Sequence, residues 1–82
     1  MRFLEGDIAD IINKLIYSLT HKKISSETEE LVESGILNSI TITELAVEME
    51  KSFSVSISFM EITKENFSNT GSIKNLIKSK LH

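Results

Sequence analysis

Leu31-Val32-Glu33-Ser34-Gly35-Ile36-Leu37-Asn38-Ser39-Ile40 is the stretch on which the fold of this chain turns. Two apolar pairs, Leu31-Val32 and Ile36-Leu37, flank a glycine, so both pairs are expected to pin the segment onto a core. Gly35 suits a left-handed turn between them. Asn38 and Ser39 then stand directly before an amphipathic run, where short polar side chains commonly begin a helix. The spacing predicts a helix from Ser39 to Phe53 whose inward stripe is Ile42, Leu45, Ala46, Met49 and Phe53.

Working outward toward the N-terminus, residues 21–38 are rich in Ser, Thr, Glu and Gly and lose the helical period. Ser26-Glu27-Thr28-Glu29 is read as the cap of one short turn. A connection this long in a small chain is usually functional or mobile. Before it, Leu4, Ile8, Ile11, Ile12, Leu15, Ile16 and Leu19 follow the three-and-four spacing of one buried helical face, about four turns long. Acids lie early in that segment and His21, Lys22 and Lys23 lie late, the order the helix dipole favours. Toward the C-terminus, Val55-Ser56-Ile57 alternates too briefly for a sheet of its own. Residues 63–67 predict a single helical turn capped by Thr63. Residues 70–81 predict a last helix burying Ile73, Leu76, Ile77 and Leu81, with Lys74, Lys78 and Lys80 facing water.

The whole chain agrees with this helical reading. Its 82 residues make one domain, read as spanning 1–82. Proline is absent and only three glycines occur, too little punctuation for a small sandwich or barrel. Without cysteine there are no disulfides, thiolate zinc sites or iron–sulfur clusters. A net charge of −3 has the wrong sign for a phosphate-backbone binder, and the second helix would set Glu44, Glu48 and Glu50 against only Lys51. The opening Met1-Arg2-Phe3-Leu4-Glu5-Gly6-Asp7 puts acids where a secretory leader needs an apolar core, and no apolar run reaches membrane-spanning length. The expectation is a cytoplasmic, soluble protein with no nucleic-acid partner and no membrane insertion. Catalytic constellations are missing from the sequence. There is no glycine-rich phosphate loop, and the two histidines, His21 and His82, read as isolated end residues, so no enzyme is expected.

At Leu31-Val32, Gly35, Ile36-Leu37 and Asn38-Ser39-Ile40 the chain resembles the acyl carrier protein family. Members of that family show an apolar pair, a glycine, two more apolar residues, then Asp-Ser-Leu at the start of the second helix. Thr63-Lys64-Glu65-Asn66-Phe67 is similar to the family's Thr-Pro-Glu-Asn-Phe turn before the last helix. No single motif is specific, but their order and spacing are. The resemblance runs from the first helix to Leu81. It implies an all-α, acyl-carrier-like four-helix bundle of three main helices plus one short helix. It further implies a 4'-phosphopantetheine arm, taken from coenzyme A, on Ser39. The implied partners are a phosphopantetheinyl transferase and enzymes that load and process acyl or aminoacyl cargo, with the carrier itself monomeric. Fatty acid, polyketide, peptide and D-alanyl pathways all use such carriers.

The residues support that expectation in their own right. A serine at a helix N-terminus is expected to face several unpaired backbone N–H groups and the positive end of the dipole, which favour a phosphodiester. On residue type alone Ser39 is simply a helix cap; the flanking pattern favours the modified serine. Asn38 departs from the family's Asp, which is implicated in recognition by the transferase. It keeps the shape and capping ability of Asp without the charge, and so motivates the alternative of an unmodified carrier-fold interaction module. Ile40, Glu44, Val47 and Glu48, together with Asn38, are read as a partner-docking set: an apolar strip beside a like-charge pair. Phe59 and Met60 also depart from the family, whose loop is polar there. They are expected to pack beside Phe53 and Phe67, with an apolar grip for a partner as the other reading.

Overall fold

A computed structural model describes residues 5–81. Leu4, assigned above to the first helix, and His82 lie outside the described residues. The elements are α1 (Glu5–Thr20), α2 (Ser39–Phe53), a 3₁₀ turn (Phe59–Glu61) and α3 (Thr70–Lys80), with no strand among the described residues. Helix α1 packs against both α2 and α3.

The stripe of α1 explains its central place. Ile8, Ile12 and Ile16 are buried, and Ile11, Leu15 and Leu19 pack partly buried around them. Isoleucine costs at most about 0.7 kcal/mol in helix propensity. Burying such a side chain returns roughly 1.5–3 kcal/mol, so packing decides the local structure. The helix ends where the Thr20 hydroxyl donates to the Ile16 carbonyl and His21 turns left-handed at φ 60°. Lys22 and Lys23 therefore stand beyond the helix, exposed, and the last turn of α1 holds no basic residue.

Helix α2 spans the residues its sequence predicts, and its buried residues are Ile42, Leu45, Ala46, Met49 and Phe53. Ser54 ends it in the left-handed region, φ 54°, with its N–H on the Glu50 carbonyl. The Glu50 carboxylate then accepts the Ile57 N–H at 2.8 Å, which folds the following strand-like stretch back and buries Ile57.

The long connection after α1 is tied down at several points. Leu31 and Leu37 are buried, and Val32 and Ile36 pack against the core. Gly35 adopts φ 85°, the left-handed turn its position predicts. Ser25 donates both its N–H and its hydroxyl to the Glu29 carboxylate, which holds that carboxyl below its usual range, the backbone N–H contributing most. The Leu31 N–H reaches the Ser68 carbonyl at 2.8 Å, and the Gly71 N–H reaches the Glu27 carbonyl at 3.0 Å.

Helix α3 is capped by Asn69, whose side chain accepts from the Ser72 N–H at 2.8 Å. Buried Thr70 donates its hydroxyl to Asn13 on α1 at 2.8 Å, a polar tie that satisfies both groups. Residues 63–67 form the single helical turn expected of them, closed by the Phe67 N–H on the Thr63 carbonyl and capped by the Thr63 hydroxyl, and a 3₁₀ turn precedes it at Phe59–Glu61. One expectation for this region needs correction. Lys74 and Lys80 do not simply face water. Each reaches across to a carboxylate, Lys74 to Glu27 at 2.7 Å and Lys80 to Glu61 at 2.8 Å, with most of each side chain covered.

Candidate functional site

The start of α2 is organised by Asn38. Its backbone is extended, and its side-chain oxygen accepts the N–H groups of Ile40 at 2.9 Å and Thr41 at 3.0 Å. The Thr41 hydroxyl accepts the Asn38 N–H in return at 2.7 Å, completing a capping box. This corrects the expectation of several unpaired donors at the site. Asn38 has taken two of them, and the Ser39 N–H is the first-turn donor left without an acceptor among the described residues.

Ser39 itself is the first residue of α2, one position inside the cap. It is exposed, and its hydroxyl makes no hydrogen bond to any described residue. Its carbonyl is engaged by the Thr43 hydroxyl at 2.9 Å, which steadies the first turn without occupying the Ser39 side chain. A nucleophile with no carboxylate or imidazole on its proton does not activate itself. Its position is nevertheless electrostatically suited to a phosphate ester: the dipole's positive end, one open N–H and free access from solvent.

Beside Ser39 lies a cleft of about 460 Å³. Val32, Leu37, Ile42, Phe59 and Ile62 supply apolar lining, and Lys64 adds a cation. The loop that Gly35 turns is therefore one wall of this cleft, and α2 is another. The sequence did not single out Thr43 or Ile62; Ile62 reaches the cleft only through the fold-back after α2.

The docking set falls on the exposed side of α2. Ile40 is 70% exposed and Val47 44%, large values for apolar side chains. Glu44 is exposed and has no partner among the described residues. Glu48 lies 3.5 Å from Lys51, an exposed pair of the kind worth little to stability. Glu50 faces the Ile57 N–H instead.

Phe59 and Met60 overturn the expectation of core packing, being 89% and 86% exposed. Phe53, Ile57 and Phe67 already fill the interior there. The turn that carries them is held by Glu61: its carboxylate accepts the Ser58 N–H at 2.9 Å and pairs with Lys80, and its carbonyl accepts the Asn66 amide at 2.8 Å. Lys80, followed by the Ser58 N–H, keeps the Glu61 carboxyl below the usual carboxylate range.

Comparison with known families agrees with this geometry. Residues 7–77 match a family model described as a phosphopantetheine attachment site. A search of curated proteins found no match. No helix among the described residues is long and apolar enough to cross a membrane.

Proposed function

The chain belongs to the phosphopantetheine attachment site family, whose domains carry a 4'-phosphopantetheine group, and we propose that here the group is borne by Ser39. The observation that carries this reading is the hydroxyl of Ser39, an exposed residue at the first position of α2, which makes no hydrogen bond among the described residues. When bound, the arm supplies a thiol that holds acyl or aminoacyl cargo as a thioester. The protein's own part is to root that arm, to offer it a cleft and to present a surface to the enzymes that use it. Residues 1–82 act as one carrier domain, monomeric and cytoplasmic, with no catalysis of their own.

Attachment calls for a transferase, because no group among the described residues takes the Ser39 proton. Ser39 Oγ bonds to the phosphorus of the pantetheine half of coenzyme A, the pyrophosphate bridge breaks, and adenosine 3',5'-bisphosphate leaves. The hydroxyl proton passes to a base on the transferase. Asn38, Ile40, Glu44, Val47 and Glu48, at the cap and along the exposed side of the helix that Ser39 begins, form the docking set for that transferase and for enzymes acting on the cargo. Asn38 favours the site through its cap, which fixes the first turn, and contributes no charge to recognition.

Intact-mass measurement tests the reading. The purified chain, incubated with coenzyme A and a broad-specificity phosphopantetheinyl transferase, gains the mass of one phosphopantetheine, and Ser39→Ala gains none. A wild-type chain that stays bare, or an alanine variant that still gains the mass, refutes it. The same measurement on protein from its native cells reads the cargo class directly. A chain always bare there yet bound to a stable protein partner is instead an unmodified interaction module.

A further inference from the structure

We propose that Phe59 and Met60 form an apolar plug received by a pocket on the transferase that modifies Ser39. The inference rests on the carrier reading above and adds to it the chemistry of the partner's contact surface.

Four observations lead to it. First, two adjacent large apolar side chains stand almost wholly in water, while the other aromatic residues of this half of the chain, Phe53 and Phe67, are buried. Second, the turn that holds them out is not loose. Glu61 anchors it through Ser58, Lys80 and Asn66, so the backbone that presents the pair is held in place before docking.

Third, Phe59 lines the same cleft as Ser39. An enzyme that docks at Ser39 therefore approaches a cleft to which Phe59 also belongs. Fourth, acidic charge offers this approach little. Position 38 is neutral, Glu48 is paired with Lys51 and Glu50 is turned onto the Ile57 N–H. Of the three acids on α2, Glu44 is the one without a partner among the described residues. Exposed apolar surface, from Ile40 and Val47 to Phe59 and Met60, is what the face has to offer. Its complement is an apolar pocket, with basic residues secondary.

The test is the rate of arm attachment to the full chain by a broad-specificity phosphopantetheinyl transferase, at saturating coenzyme A and varied carrier concentration. The double variant Phe59→Ser/Met60→Ser raises KM for the carrier by about tenfold or more, as expected for losing a buried apolar anchor. Its kcat stays near wild type, because neither side chain touches the reacting hydroxyl. The pair Phe59→Leu/Met60→Leu keeps apolar contact and stays within about threefold of wild type. Both variants melt with the parent, since exposed side chains carry little stability.

An unchanged KM in the serine pair overturns the plug, as does a loss that the leucine pair fails to rescue. So does sedimentation showing a wild-type dimer that the serine pair dissolves, which would assign the surface to a second copy of this chain. A wild-type chain that accepts no arm at any transferase concentration refutes the carrier reading itself, a result distinct from an altered KM.

Discussion

Replacing Asn38 by alanine isolates the device that starts α2. The substitution removes the acceptor of two N–H groups, those of Ile40 at 2.9 Å and Thr41 at 3.0 Å, and leaves the Thr41 hydroxyl its bond to the backbone N–H at position 38. Both orphaned donors lie at an exposed helix end, where water replaces part of what is lost. The cost is therefore that of a helix cap, about 1 kcal/mol, and not the full penalty of a buried unsatisfied group. In a domain of this size about 1 kcal/mol lowers the melting temperature by roughly 4–8 °C. Asn38→Asp keeps both bonds and sets a negative charge at the dipole's positive end, which adds roughly 0.3–1 kcal/mol at low salt. That gain fades as salt rises, because the site is exposed. Urea unfolding at constant m-value measures both variants, and amide exchange at Ile40 and Thr41 locates the effect. An alanine variant with the wild-type midpoint and unaltered protection at those two amides would falsify the reasoning.

Gly35→Ala tests the turn that forms one wall of the cleft. No atom lies within 4 Å of where the new Cβ would stand, so the loss comes from φ 85° alone and is about 1–2 kcal/mol by urea unfolding; a neutral result refutes a backbone origin. The Glu61 carboxyl, held low chiefly by Lys80, makes stability depend on acid. Its folded pKa lies below its unfolded value, so its contribution is present above about pH 4.3, the ordinary glutamate value, and is lost as pH falls through the depressed folded value. Glu61→Gln accordingly flattens the acid limb of the stability profile, and an unchanged limb contradicts the assignment.

The helices were legible because each carries its own period and its own punctuation. Asn38 before Ile42, Leu45 and Met49 defines both the start and the face of α2, and the isoleucine stripe defines α1. What the sequence withheld depends on partners far along the chain. Lys80 and Glu61 meet only after the chain folds back, and so do Lys74 and Glu27. Lysines on an amphipathic pattern look like solvated residues until such a carboxylate arrives. Phe59 was misread for a related reason: an aromatic residue belongs inside unless the interior is already full, and fullness is a property of the assembled core. At the site, Ser39 could be placed at a helix tip from its neighbours. That Asn38 would occupy two of the tip's donors required the backbone geometry of the cap.

The bonds from Glu27 and Leu31 to Gly71 and Ser68 have a bearing on motion. They sew the approach to Ser39 onto the first turn of α3, so slackening the final helix also slackens the ground beneath the serine, distant as the two are in sequence. Opening of either segment therefore removes ties from the other. A protease nick between residues 25 and 31 is expected to raise amide exchange at the start of the far helix as well as in the loop it cuts.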